Sequence, residues 1–327
     1  MSKTQKYKNN ILETIGNTPM VKLNSVPGKI KATILAKMEF FNPGGSIKDR
    51  IAVHILQEAE KRGDLKPGGT IVENTSGNTG IGAAIYAAIK GYKMVFTLSD
   101  KMSQRKIDLL KAFGAKVIVC PTAVPYNSPE SYYEVAKRIA KETPGAFLIN
   151  QYHNKNNIEA HYITTGPEIW EQTEGKVDYV VIGAGTGGTI SGVGRFLKEK
   201  KPEIKIICVD PIGSIYYDYF KHKKLIEPHV YTVEGIGEDM LCEAMDFRVI
   251  DDMIQVTDKD AFLTARRLLK EEGIFAGGSS GAAVWGAMEV AKKLPKEKII
   301  VAILPDTGYN YLNKMYNDEW MKEKGFF

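Results

Sequence analysis

VDYVVIGAGTGGTISGVGRFLKE, residues 177 to 199, reads as an apolar strand, a glycine-rich turn and a helix in immediate succession. Gly183, Gly185 and Gly188 satisfy the spacing G-x-G-x-x-G. Asp210 closes the next strand-like run, IKIICVD, about 20 residues on. That combination is the fingerprint of a dinucleotide site, with the pyrophosphate on the helix N-terminus and the acidic residue on a ribose. A dinucleotide site is expected at the first strand–helix crossing of its domain, whereas this motif begins only after residue 180. Taken alone, the motif accommodates either a dinucleotide or a single phosphate.

The same rhythm extends in both directions. TIVEN (70–74) leads into a helix through Lys90 that Gly91 closes, and KMVFTLS (93–99) leads into a helix stopped by Gly114. AKVIVC (115–120) precedes SPESYYEVAKRIAKE, for which Ser128 is the expected N-cap and Pro129 the first helical residue. AFLIN, IKIICVD and KIIVAILPD are further β-rich runs. This alternation predicts an α/β fold of mostly parallel, twisted sheets with helices on both faces. A length of 327 residues allows two lobes with a cleft between them. Ligands of such folds sit at the carboxyl ends of strands, where the glycine-rich stretches fall.

Composition excludes several function classes. The chain is 43% hydrophobic and 25% charged, as ordinary soluble proteins are. Its formal charge of +5 is spread thinly, which argues against a nucleic-acid partner. No apolar run approaches the roughly 20 residues of a membrane span. Cys120, Cys208 and Cys242 are far apart and form no C-x-x-C pair; Cys120 and Cys208, in apolar strand-like runs, are expected as buried thiols, and a reducing, cytoplasmic compartment is expected. His54, His153, His161, His222 and His229 show no ligand spacing, and no metal is expected.

Four glycine-rich stretches carry candidate chemistry. In FFNPGGSIKDRI (40–51) a turn gives way to a helix near Ser46 or Ile47, which puts Lys48 in its first turn. The helix dipole disfavours a cation there by roughly 0.3–1 kcal/mol. A solvated surface lysine is the ordinary reading; the functional one is a lysine of lowered pKa that forms a Schiff base with a carbonyl cofactor. In ENTSGNTGIGAA (73–84), Thr75, Ser76, Asn78 and Thr79 offer three hydroxyls and an amide beside unpaired N–H groups. Capping needs one such residue, so four favour an anion site for a carboxylate or phosphate. GTGGT frees backbone N–H groups at Gly185, Gly187 and Gly188 and adds the hydroxyls of Thr186 and Thr189. In FAGGSSGAAVWGAMEVAKK (275–293), Ser279 either caps a helix or reaches a ligand, and VEGIGEDM (233–240) adds Gly235 and Gly237.

Together and in this order, these stretches resemble the pyridoxal-phosphate β-replacement family of cysteine synthase and cystathionine β-synthase, along nearly the whole chain from ETIGNTPMVKL (13–23) to YNDEWMKEKGF (316–326). KMEFFNPGGSIKDR, VDPIGS, VEGIGED, LPDTGYNYL and DEWMKEKGF are more similar to the cystathionine β-synthase catalytic core than to plant or enteric cysteine synthases. The resemblance implies a two-lobed, fold-type II architecture like that of the tryptophan synthase β chain. A smaller, mobile substrate-loop domain would span 44–150, and a larger phosphate-binding domain 1–43 and 151–327.

It also implies the roles of the site residues. Lys48 would carry pyridoxal 5′-phosphate, and Thr75, Ser76, Gly77, Asn78 and Thr79 would grip the substrate carboxylate, with Asn78 also reaching the ring hydroxyl. Gly185, Thr186, Gly187, Gly188 and Thr189 would cup the phosphate, and Ser279 would face the pyridine nitrogen. Gln151 and Tyr152 match the second carboxylate and channel positions, and Gly235 the loop over the substrate amine. Glu238 stands where an aromatic is common, and MLCEA (240–244) replaces the usual F-I-P, so the thiol is the least secure transfer. The implied reaction is β-replacement on serine or an activated serine through an aminoacrylate. Serine plus homocysteine giving cystathionine is preferred; O-acetylserine plus sulfide, or sulfide release from cysteine, are the alternatives. The implied working form is a homodimer without nucleic-acid or membrane partners. An NAD-dependent oxidoreductase using Gly183, Gly185, Gly188 and Asp210 is the distant rival, and a non-enzymatic regulatory subunit another.

Overall fold

Each β-rich run named above forms a strand in the computed structural model, which describes residues 7–327 apart from Ser76, Lys101, Ser103, Thr122 and Tyr126. The chain opens with β1 (Met20–Lys22) and β2 (Thr33–Met38). It continues through α1 (Lys48–Arg62), β3 (Thr70–Asn74), α2 (Asn78–Lys90), β4 (Lys93–Ser99), α3 (Gln104–Ala112), β5 (Lys116–Cys120), α4 (Tyr132–Glu142) and β6 (Ala146–Leu148). Next come α5 (Asn156–Ala160), a π-helical turn at His161–Thr165, α6 (Gly166–Gln172), β7 (Tyr179–Gly183) and α7 (Gly188–Lys200). The last stretch holds β8 (Lys205–Pro211), α8 (Tyr216–His222), β9 (Asp252–Val256), α9 (Asp258–Glu272), α10 (Gly278–Ala291), β10 (Ile299–Leu304) and α11 (Asp318–Glu323). No helix among the described residues is long and apolar enough to cross a membrane.

Two compact units divide the chain, one holding the residues up to Asn17 with Asn42–Asn150, the other Thr18–Phe41 with Gln151–Phe327. In the first, a four-stranded sheet of order β5-β4-β3-β6 is parallel throughout. All five residues of β3 are buried, as expected for a central strand covered on both faces. The helices α1 and α2 approach closely because Gly82 has no side chain: a Cβ there would lie 2.9 Å from the Asp49 Cα.

The second unit is built on a six-stranded sheet, β1-β2-β10-β7-β8-β9, in which only the β1–β2 pair is antiparallel. Val181, Ile206, Ile300 and Val301 are fully buried in its central strands. Each such side chain stabilises the fold by roughly 1.5–3 kcal/mol. Lys37 on β2 is also fully buried, and its ammonium donates to the Thr18 carbonyl, Glu168 and Gln172 at 2.7–2.9 Å. Three acceptors offset the desolvation of that one cation.

Two expectations differ from the structure. The residues up to Asn17 group with the smaller unit rather than with the larger one. The 3-10 turn Ile11–Thr14 packs on α2, and the Gly16 N–H donates to Asn42 Oδ1 at 2.8 Å. The helix after β5 begins at Tyr132, and its cap is Ser131, whose side chain accepts the Glu134 N–H. Ser128 instead closes the preceding turn, with its carbonyl accepting the Ser131 N–H at 2.9 Å. Ser131 and Glu134 have the spacing of a capping box, which competed successfully with the Ser-Pro start. Strands β1, β2 and β9 were not anticipated: they are short or carry polar residues inside the run.

Ser131→Ala is expected to lower unfolding stability by about 1 kcal/mol, and Ser128→Ala by little. Urea melts that rank the two serines the other way would overturn the capping assignment. Asp246 gives a pH-dependent test. It receives hydrogen bonds from Arg248 Nε at 2.8 Å and Arg195 at 2.9 Å, and its own N–H donates to Ser191 Oγ at 2.8 Å. Arg248 first, and then Arg195, hold its carboxyl well below the usual carboxylate range, against burial. The folded chain keeps this charge at a pH where the unfolded chain loses it. Its contribution is therefore complete above the ordinary carboxylate value of 3.8 and fades as pH falls below it. Asp246→Asn is expected to be less stable than the parent at pH 7, with the gap closing in acid; a gap of equal size at about pH 7 and pH 3 would refute this.

Candidate active site

Lys48 is the first residue of α1. The Pro-Gly-Gly turn before it is held by the Asp49 carboxylate, whose Oδ2 accepts the Gly44 N–H at 2.5 Å, while Ser46 Oγ accepts the Lys48 N–H at 3.2 Å. The half-buried Lys48 therefore sits at a helix N-terminus whose entry is fixed by side chains on both sides. The α1–α2 contact at Gly82 brings the first turns of these two helices into the same part of the first unit.

The first turn of α2 carries Asn78 and Thr79, the latter buried. Thr75, fully buried, accepts the N–H groups of Gly77 at 2.9 Å and Gly80 at 3.2 Å through its hydroxyl, so it acts as the capping group of this turn. Gly77 precedes the helix at φ 112, and a Cβ there would lie 2.8 Å from the Lys106 Cδ. The buried stem of Lys106 thus lies against the loop. Ser76 lies outside the described residues.

In the second unit, β7 ends at Gly183 and α7 starts at Gly188. Gly187, at φ 88, occupies the cap position, a left-handed conformation that a side chain would strain, and no side chain caps the helix. The first-turn N–H groups of this 13-residue helix are thereby left for an anion. Asn157, itself 1% exposed, lies against Gly188, where an added Cβ would overlap its carboxamide. Its Nδ2 donates to Thr186 Oγ1 at 2.9 Å and to the Gln151 carbonyl at 2.8 Å. His161, fully buried in the π-helical turn, bonds Thr189 Oγ1 through Nε2 at 3.1 Å and Thr165 Oγ1 through Nδ1 at 2.9 Å. Both threonine hydroxyls of the turn are therefore oriented from behind.

The remaining candidates of this unit lie around the same turn. A Cβ on Gly185 would sit 2.8 Å from the Gly235 carbonyl and 3.7 Å from Glu238 Oε1, and one on Gly235 would sit 4.0 Å from Ser279 Oγ. Ser279 is in the first turn of α10, whose cap is Gly277, so Ser279 is not the capping group. Tyr152 is buried, and its carbonyl accepts the Ala244 N–H at 3.2 Å, which ties the MLCEA segment to the turn that holds Gln151 and Tyr152. Ser191 Oγ in α7 donates to the Ala244 carbonyl at 2.9 Å. Gly185, Thr186, Gly188, Thr189, Gln151, Gly235, Glu238 and Ser279 are thus brought together within the second unit. Lys48, Thr75, Gly77, Asn78 and Thr79 belong to the first.

Sequence reasoning missed Asn157, His161, Ser214 and Tyr216. The run INQYHNKNNIEAH held the signal for the first two, since buried Asn and His need partners. Tyr216, fully buried, donates through its hydroxyl to the Gly185 carbonyl at 3.0 Å.

The turn fits the single phosphate of pyridoxal phosphate better than a dinucleotide. Its open first turn and two hydroxyls match one phosphate group, and the close approach of Gly235 to Gly185 closes the cradle on one side. Asp210, the acidic residue of the dinucleotide fingerprint, is fully buried, with Oδ2 accepting the Tyr217 N–H at 2.9 Å. It is not presented to a ribose. Among the described residues no group of three or more metal-ligating side chains occurs.

The chain is similar to known proteins along nearly its whole length. The chain is 51% identical over 318 residues to the cystathionine beta-synthase of Apis mellifera, covering 97% of this chain and 63% of that protein. Identity to the cystathionine beta-synthase of Dictyostelium discoideum is 46% over 324 residues, again 97% of this chain and 63% of the relative. Cysteine synthase 1 of Emericella nidulans is 42% identical over 330 residues, 99% of this chain and 89% of that protein. The chain thus spans less than two thirds of the length of these cystathionine beta-synthases. A family model described as pyridoxal-phosphate dependent enzyme matches residues 11–306, which include the lysine turn, both anion loops and Ser279, and the chain accordingly belongs to that family.

Proposed function

We propose that the chain catalyses β-replacement on L-serine with homocysteine as the incoming thiol, giving cystathionine. The observation that carries this reading is the open first turn of α7, with its two hydroxyls held by Asn157 and His161 and with Gly235 and Ser279 beside it. Relatives named cystathionine beta-synthase at 46–51% identity support the choice of reaction. When bound, pyridoxal phosphate supplies an aldehyde for the substrate amine and a ring that takes up electron density from Cα.

The chain's own residues supply the rest. Thr186, Thr189 and the first-turn N–H groups of α7 hold the phosphate. Ser279 would offer the ring nitrogen a hydroxyl, not a carboxylate, which would leave that nitrogen largely unprotonated. Thr75, Ser76, Asn78 and Thr79 of the first unit would hold the substrate carboxylate. Lys48 would anchor the cofactor, and its free amine would take the Cα proton and later return it. The helix N-terminus at Lys48 disfavours positive charge and so helps keep that amine neutral for this work.

The second reading is cysteine synthesis from O-acetylserine and sulfide, or sulfide release from cysteine. The departures at Glu238 and MLCEA, in the segment tied to Tyr152, favour keeping it. The working form is proposed as a cytosolic homodimer, to be checked by analytical ultracentrifugation.

Product analysis by mass spectrometry decides between the substrates: cystathionine from serine and homocysteine is the expected result. Turnover confined to O-acetylserine and sulfide would shift the assignment to the second reading. Lys48→Ala is expected to lose at least about a thousandfold in turnover. If the variant keeps parental rates, Lys48 is not the base. Gly188→Ala forces a methyl into the Asn157 carboxamide and is expected to weaken pyridoxal phosphate binding by about tenfold or more. Unchanged affinity would remove the phosphate from this turn.

A further inference from the structure

Asp210 has no part in the chemistry proposed above, yet it is fully buried near the carboxyl end of β8. Its Oδ2 accepts the Tyr217 N–H at 2.9 Å, and its Oδ1 is buried with no hydrogen-bond partner among the described residues. Burial pushes the carboxyl up to about 7, against the Ser214 hydroxyl and the Tyr217 N–H, which favour the charged form. A buried carboxyl costs stability, so its presence asks what it holds.

It holds a strap, residues 211–217. Ser214, fully buried, accepts two N–H groups through Oγ, those of Glu238 at 3.1 Å and Tyr216 at 3.3 Å. At the far end of the strap, the Tyr217 N–H is held by Asp210 Oδ2. The Ile215 N–H donates to the Glu238 carbonyl at 3.0 Å, so the backbone of Glu238 is fastened on both sides. Two residues beyond Ser214, Tyr216 reaches the Gly185 carbonyl at 3.0 Å. In a trans peptide the carbonyl of one residue and the N–H of the next point in opposite directions. Fixing the Gly185 carbonyl on Tyr216 therefore turns the Thr186 N–H away from the strap.

We infer that Asp210 is a positioning residue which, by holding the Tyr217 N–H, fixes the strap that carries Ser214 and Tyr216, and so sets the Gly185–Thr186 peptide for phosphate binding and the Glu238 loop beside it. The inference rests on reading this turn as a phosphate cup. It also gives the acidic residue of the dinucleotide fingerprint a different task in this chain.

The test is a double-mutant cycle on cofactor affinity, read by visible absorbance as the full chain, first cleared of cofactor, is titrated with pyridoxal phosphate. Tyr216→Phe and Asp210→Ala are each expected to weaken binding by about threefold to tenfold. Asp210→Asn keeps an acceptor for the Tyr217 N–H and should stay within about twofold of the parent. The double variant Asp210→Ala/Tyr216→Phe should bind no more weakly than the weaker single variant, because both changes break one path. Losses that multiply, or an Asp210→Ala variant with parental affinity, would overturn the inference. Should Asp210→Ala fail to fold, Ser214→Ala takes its place in the same cycle, and independent losses there overturn it equally. A parent chain that takes up no pyridoxal phosphate refutes the cup itself. A parent that binds, with additive losses in the variants, refutes only the role of Asp210.

Discussion

The carboxamide of Asn157 is the interaction on which the second unit's site depends. It is one buried side chain with two donated hydrogen bonds, to Thr186 Oγ1 and to the Gln151 carbonyl. It lies where Gly188 has no side chain, so the glycine and the asparagine require one another. The pairing leaves the first turn of α7 uncapped. An uncapped helix start inside a protein is unfavourable unless an anion or water meets its N–H groups. With the Thr186 and Thr189 hydroxyls bonded to the buried Asn157 and His161, this helix start has the features that the proposed phosphate site requires.

The first unit solves a related problem at Lys48. A cation in the first turn opposes the helix dipole, and here the turn is not free to adjust, since Asp49 and Ser46 hold its backbone. Gly82 then lets α2 press against Asp49, which places a second helix start in the same neighbourhood. Two helix N-termini side by side favour a neutral amine and bound anions together. Cofactor attachment and carboxylate binding both need that electrostatic setting.

Much of this was legible in the sequence because it is local. TIVEN, KMVFTLS, VDYVVIG and KIIVAILPD became strands, and the alternation with helices gave the parallel sheets. That Lys48, Asn78 and Gly187 stand at helix starts was legible because glycine-rich turns before helices have a short-range signature. What escaped was long-range. Asn157 acts on Thr186 and Gly188, about 30 positions on, and Tyr216 on Gly185, at a similar distance in the other direction. No periodicity encodes such pairs. The swap of Ser128 for Ser131 is a different failure, in which two nearby caps competed and the one with a glutamate three residues later prevailed.

Glu238 shows how the loop tolerates change. Its N–H and carbonyl are both taken by the strap, through Ser214 and Ile215, so its path is set by backbone bonds that any side chain would permit. The replacement of an aromatic by a carboxylate therefore changes the chemistry at this point while the loop remains in place. One consequence follows directly. Burial, and next the Glu238 charge, raise the Tyr216 hydroxyl well above the ordinary tyrosine range, and the same two causes raise the Cys242 thiol beside it. A tyrosine hydroxyl is protonated at neutral pH and burial makes it more firmly so, which suits it to donate to the Gly185 carbonyl. Burial comes first among these causes, so the bond from Tyr216 to the Gly185 carbonyl stands whichever residue occupies position 238, and the loop can vary there without loosening the turn.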